Sequence, residues 1–160
     1  MYKAQDLHPG QILLMVNHSW IDKGIQWATD NPYSHAAQVG DGELIMAAWP
    51  KIVTAPLTLY EASGWAFDVD GATIADIAVV LKAIKSRIGQ PYGLGELAAD
   101  AGRDIFHLPI WHNFSPGYYT CSGLVAWAWK QAGITLTFAP CPSPADLSYS
   151  PKLLGARAFA

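Results

Sequence analysis

The stretch His35-Ala36-Ala37-Gln38-Val39-Gly40-Asp41-Gly42-Glu43-Leu44-Ile45-Met46-Ala47-Ala48 decides how the first half of this chain folds. Two apolar runs flank an Asp-Gly pair. Asp-Gly is favoured in two-residue hairpin loops because both loop residues must accept positive φ. A turn at Asp41-Gly42 pairs Gly40 with Glu43, Val39 with Leu44 and Ala37 with Met46, and leaves His35 opposite Ala48. His35, Ala37 and Val39 then share a face with Leu44 and Met46.

Working outward, residues 11–16 follow the turn His8-Pro9-Gly10 and read as a buried strand. Ser19 is placed to cap a short helix over 20–29, with Ile21, Ile25 and Ala28 on one side. Further strands are expected over 52–55 and 65–69. Thr73 caps a helix expected to run to residue 88, where Gly89 stops it. Its apolar stripe is Ile74, Ile77, Val80, Leu81, Ile84 and Ile88. A short helix is expected over 95–103, and a Pro-broken aromatic loop over 106–119. Thr120-Cys121-Ser122 opens a second strong helix to about residue 132, with Gly133 as its stop. Pro140, Pro142, Pro144 and Pro151 then predict an extended tail along the surface.

The chain has 160 residues, 51% of them hydrophobic and 14% charged. That length suits one domain, 1–160, with a core of its own. So apolar a composition excludes a disordered tail. Lys and Arg number 10 and Asp and Glu 13, a net charge of -3 with no basic run, which argues against nucleic acid as a partner. Apolar runs such as 12–16 and 77–81 are far shorter than the roughly 18 residues of a membrane-spanning helix, so no transmembrane segment is expected. The N-terminus has no apolar signal region. The expected location is the cytoplasm, or a phage-associated or exported state reached by another route.

The chemistry centres on Tyr119-Thr120-Cys121-Ser122-Gly123-Leu124-Val125-Ala126-Trp127. A cysteine in a helix's first turn lies at the positive end of the dipole, which lowers its pKa and favours the thiolate. Ser122 and Gly123 leave room for a carbonyl, and first-turn N–H groups can stabilise an oxyanion. By position alone Cys121 is equally a buried structural cysteine. Of the five histidines, His35 is the best-placed base, and Cys with His is the minimal activated-thiol set. Tyr92 and Tyr119 are candidates to lend a hydroxyl to the oxyanion or substrate, with aromatic lining as the alternative. Ser122 belongs to the same candidate substrate-binding set. Among Trp49, Trp65, Trp111, Trp127 and Trp129, most are expected in the core and some along a cleft. His107 and His112 lack the spacing and carboxylates of a metal site, and Cys141 reads as a bystander. No metal and no cofactor are implied.

These pieces together resemble the circularly permuted branch of the papain-like, NlpC-type cysteine hydrolase superfamily, which includes lecithin-retinol acyltransferase-like proteins. The resemblance rests on five segments in order. They are His8-Pro9-Gly10-Gln11-Ile12-Leu13-Leu14, Tyr33-Ser34-His35 with Val39-Gly40-Asp41-Gly42, Gly89-Gln90-Pro91-Tyr92, Cys121-Ser122-Gly123-Leu124-Val125, and Pro144-Ala145-Asp146-Leu147 with Ser150-Pro151. Histidine preceding cysteine matches the permuted order.

The resemblance implies an α+β fold, a small antiparallel sheet or half-barrel packed on the nucleophile-bearing helix. It implies Cys121 as nucleophile and His35 as base of a cysteine peptidase or amidase. Its substrate would be a peptide or another acyl donor, with a cell-wall peptide (peptidoglycan) as the specific expectation. The alternatives are a lipid acyltransferase or thioesterase on the same fold, and a catalytically silent binding module. One departure stands out. The family orients its histidine from the strand after the hairpin, and the corresponding positions here, Met46 and Ala47, are apolar. Glu43 is the nearest carboxylate on that strand, but it sits beside the turn, opposite Gly40.

Overall fold

The computed structural model describes residues 6–17, 20–57, 63–93 and 119–159. The expected helix over 95–103, the loop over 106–118, the Ser19 cap, and His107, Trp111 and His112 lie outside the described residues.

Six antiparallel strands form one sheet: β1 (Ile12–Val16), β2 (His35–Val39), β3 (Glu43–Ala48), β4 (Lys51–Pro56), β5 (Ser63–Val69) and β6 (Leu153–Phe159). Their spatial order is β4-β3-β2-β1-β5-β6. The helices are α1 (Trp20–Thr29), α2 (Ile74–Lys85), α3 (Cys121–Gln131) and the short α4 (Pro144–Ser148). The class is therefore α+β.

The sheet divides two apolar layers, and strand alternation assigns each side chain. Ile12 and Leu14 of β1, Ala36 of β2 and Ile45 and Ala47 of β3 face the layer that contains α2 and α3. Leu13, Met15, Ala37, Val39, Leu44 and Met46 face the opposite layer. Because both faces are covered, β1 reads as an uninterrupted apolar run instead of an alternating one. The register Val39↔Leu44 and Gln38↔Ile45 is the expected one, closed by the Gly40 N–H donating to the Glu43 carbonyl at 2.8 Å. The turn differs in one respect: Gly42 has φ +72° while Asp41 does not have positive φ. One left-handed residue suffices here.

Local signals set the helix ends. Thr73 caps α2 in a reciprocal box with Asp76. The helix ends at Lys85, a turn before residue 88, and its stripe is buried only at Val80, Leu81 and Ile84. Ile74 and Ile88 are exposed.

The tail corrects the expectation of an extended surface wrap. Ser143 and Asp146 form a second capping box with Pro144 at the first helical position, so α4 is a helix. The chain then returns as β6 alongside β5. Pro144 opens the helix, where a missing N–H costs nothing, and Pro140, Pro142 and Pro151 lie between elements. The tryptophans also differ from expectation: Trp129 is fully buried, whereas Trp27, Trp49 and Trp65 are exposed.

Candidate active site

Cys121 is the first residue of α3. Thr120 caps the helix, its hydroxyl accepting from the Gly123 N–H at 3.2 Å. Ser122 donates its hydroxyl to the Pro142 carbonyl at 2.6 Å, which fastens the 140–143 segment against the start of α3. The expected substrate-binding role of the Ser122 hydroxyl competes with this structural bond.

The sheet-facing side of α3 packs on β2 and β3. At the centre of that contact the Trp129 indole N–H donates to Gln38 Oε1 at 2.8 Å, with both residues fully buried. Gln38 in turn donates to the Gln11 carbonyl at 2.9 Å. This buried polar link fixes the helix on the strand that begins with His35. Two further ties hold the start of β2. The Asn17 N–H donates to Ser34 Oγ at 3.2 Å, and Asn31 donates to Ser148 Oγ at 3.1 Å, joining the approach to β2 to α4.

This frame brings Cys121 and His35 together, close enough for each to shift the other's proton affinity. Ala37 and Val39 belong to the other face of the sheet, so the contact does not follow from alternation along β2. It is made at the strand's first residue, where the chain enters the sheet. The backbone N–H groups of Ala36 and Ser122 turn positive partial charge toward the Cys121 sulfur and favour its thiolate.

The electrostatics follow from this setting. Burial pushes the Cys121 thiol up, but the His35 charge, its hydrogen bond and the two N–H donors outweigh that and hold the thiol below its ordinary value. Burial likewise pushes His35 down. The facing Cys121 charge, their hydrogen bond and the charge of Asp22 outweigh it, so the imidazole is raised. Both directions favour a thiolate–imidazolium pair. Cys121 is 4% exposed, and His35 is partly exposed as a residue.

Other candidates fall elsewhere. Tyr119 stacks on Trp127 at 5.1 Å between ring centroids. The Arg87 guanidinium lies 4.6 Å from the Trp127 ring and 5.8 Å from that of Tyr119. Tyr92 joins Tyr119 through a backbone bridge. Tyr119, Gly123, Ala126, Trp127 and Lys130 line a groove of about 520 Å³ against the 135–142 segment, and Cys121 is not among its walls. Helical spacing explains this: those α3 positions face away from the sheet that Cys121 faces.

Neither position expected to orient His35 offers a polar atom. Met46 is 3% exposed in the opposite layer, and Ala47 is fully buried on the α3 side. Glu43 is engaged with Lys85 at 2.8 Å. It also lies at the turn, while His35 begins β2 four residues before Val39, about 13 Å along the strand.

Sequence reasoning missed Gln38 and Asp22. A glutamine inside an apolar strand is a visible sign of a buried hydrogen bond. Asp22 carried no comparable sign, because a first-turn acid is ordinary helix chemistry.

No protein-family model matches the chain, and no curated protein matches it. Solved structures do. One is the crystal structure of metalloprotein yiiX from Escherichia coli O157:H7, DUF1105. It has a TM-score of 0.69 and 17% identity, with 96% of each chain covered. The likeness is one of fold. Among the described residues, no group of three His, Cys, Asp or Glu side chains is placed to hold a metal ion.

Proposed function

We propose that this chain is a cysteine-dependent hydrolase with permuted papain-like packing that cleaves an amide bond in a peptide, with Cys121 as nucleophile and His35 as base. The observation that carries the reading is the Cys121–His35 pair at a capped helix start, in which each group draws the other toward its charged form. A buried structural cysteine has no need of a histidine beside it. The cell-wall peptide as substrate rests on the sequence resemblance.

The reaction follows from the pair. The thiolate attacks the amide carbon, and the carbonyl electrons move onto oxygen. Free N–H groups in the first turn of α3 stabilise that oxyanion. The His35 imidazolium gives its proton to the leaving nitrogen as the C–N bond breaks, which leaves a thioester. Water then loses a proton to His35 and attacks the thioester. The C–S bond breaks, the acid product leaves and the pair is restored.

A silent binding module is the second reading, favoured by the 4% exposure of Cys121 and the apolar Met46 and Ala47. Acyl transfer or hydrolysis on a lipid is the alternative within enzymes. The test is the rate of Cys121 alkylation against pH in the parent and in His35→Ala, with Cys141 as internal reference. Modification well below about pH 8 that His35→Ala slows marks an activated pair. Peptide amides and lipid esters are then screened, with Cys121→Ser as control. A slow titration indifferent to His35 defeats the enzyme reading.

A further inference from the structure

Three tryptophans stand exposed, Trp27 by 74%, Trp49 by 72% and Trp65 by 40%, and the topology gathers them at one end of the sheet. β1 ends there at Val16, β2 begins at His35, β3 ends at Ala48 and β5 begins at Ser63. Trp49 is the residue after β3, and Trp65 lies near the start of β5. Trp27 lies in the last turn of α1. Its neighbour Gln26 donates to the Asn17 carbonyl at 3.1 Å and to the Pro32 carbonyl at 2.8 Å, beside the two strand ends that α1 joins. The exposed Ile74, by contrast, opens α2 beyond the other end of β5.

The strand register places two of these rings beside the Cys121–His35 pair. Leu14 pairs with Ala36 on one side and with Trp65 on the other, so the three share a row and a face. That face is the one α3 covers, since Leu14, Ala36 and Cys121 belong to one packed layer. Two strand spacings set the Trp65 backbone about 10 Å from that of Ala36, whose N–H turns toward the Cys121 sulfur. On the other flank, the pairing of β2 with β3 stops at Gln38↔Ile45. β1 nevertheless follows β2 to His35, and β4 follows β3 to Ala48. β2 and β3 therefore part toward this end, with His35 on one lip and Trp49 just past the other. From β3 to β5 is three strand spacings, about 14 Å, which an extended peptide crosses in about four residues. The residues next to the two indoles are small: Ala48 precedes Trp49, Gly64 precedes Trp65 and Ala158 pairs with it.

We propose that Trp49 and Trp65 are specificity-determining residues that receive apolar side chains of the peptide substrate, one on each side of the scissile amide. The peptide runs across the strand ends, with its scissile carbonyl at Cys121 between the two rings. An exposed indole offers a large apolar surface with few rotatable bonds, and tryptophan is enriched where such contacts carry binding energy. Exposed apolar groups gathered beside a reactive pair mark a contact surface more specifically than scattered ones do. This inference rests on the hydrolase reading and deepens it, by naming the substrate as a peptide with apolar residues flanking the cleaved bond.

The probes are two blocked hexapeptides, one with leucine at the two positions on each side of its central amide and one with serine there. Their binding to the Cys121→Ala protein is measured by calorimetry, so the readout does not depend on turnover. The leucine peptide should bind at least about fivefold more tightly than the serine peptide. Trp49→Ala and Trp65→Ala in that background should each weaken the leucine peptide roughly fivefold and leave the serine peptide nearly unchanged. Trp65→Phe should keep most of the preference, and Ile74→Ala, at the far end of the sheet, should keep all of it. Thermal melts check the fold of each variant, and Trp49, which lies outside the strands, tests the proposal even if Trp65→Ala melts early. Equal binding of the two peptides, or a preference that survives the tryptophan substitutions in folded protein, overturns the proposal. So does sedimentation of the parent with phosphatidylcholine vesicles that both substitutions abolish while the peptides bind alike, which assigns the rings to a lipid surface. Alkylation of the parent that ignores His35→Ala defeats the hydrolase reading instead, and the peptide preference still reports on Trp49 and Trp65.

Discussion

Replacing Gln38 with leucine removes the polar link between the strand carrying His35 and the helix carrying Cys121. The cost can be located atom by atom. The carbonyls that Gln38 serves each keep a backbone donor: Gln11 accepts from the Val39 N–H at 2.8 Å, and Val39 accepts from the Gly10 N–H at 3.0 Å. Leucine nearly matches glutamine in volume, so little cavity forms. The loss therefore falls on the Trp129 indole N–H, left without Gln38 Oε1 at a fully buried site. An unsatisfied buried donor costs about 1–3 kcal/mol, and the expected loss for Gln38→Leu is about 2 kcal/mol. For a chain of this size that lowers the melting temperature by roughly 4–8 °C.

Trp129→Phe should also destabilise, through the stranded Gln38 oxygen and the lost ring volume. The double variant removes both polar partners, so it should be more stable than the sum of the singles by about 1–2 kcal/mol. Urea unfolding of the four proteins measures this, with a constant m-value as the condition for comparison. Strict additivity, or a Gln38→Leu loss below about 0.5 kcal/mol, refutes the reasoning.

Three further outcomes follow from the same contacts. Thr120→Ala removes the cap of α3 and should cost about 1 kcal/mol; by loosening the first turn it should also move the onset of Cys121 alkylation to higher pH, and an unchanged onset would separate the cap from the thiol. The lowered thiol and raised imidazole set the sign of the pH profile: thiolate appears as pH rises through the depressed Cys121 value, and its imidazolium partner is lost as pH rises through the elevated His35 value. Peptide turnover should accordingly be bell-shaped, and an onset of Cys121 alkylation that stays in place in His35→Ala would contradict the assignment. Gly64→Ala would drive a methyl into the Leu14 carbonyl and to 2.9 Å from Met15 Cα; because Met15 also pairs with His35, it should cost about 1–3 kcal/mol and slow Cys121 alkylation, as thermal melting and the alkylation assay would show.

Much of this architecture is written in short-range signals. The Asp41-Gly42 turn, the Thr73 cap and the Thr120-Cys121 helix start each depend on residues within about four positions of one another, and such interactions form wherever those residues occur. The register of β2 on β3 follows from the turn for the same reason. The tail was misread because its prolines look alike in sequence. Only the box between Ser143 and Asp146 marks Pro144 as a helix start, and 153–159 becomes a strand because β5 presents an edge to pair with.

The sequence alone thus determined the hairpin, the helix starts and the two residue types of a thiol–imidazole pair. That His35 meets Cys121 at the first residue of β2 and that Gln38 supports Trp129 were decided only by the tertiary structure. Each joins elements distant along the chain. Such contacts arise only once the sheet and helices have packed, and no local pattern encodes which buried polar groups will then face each other.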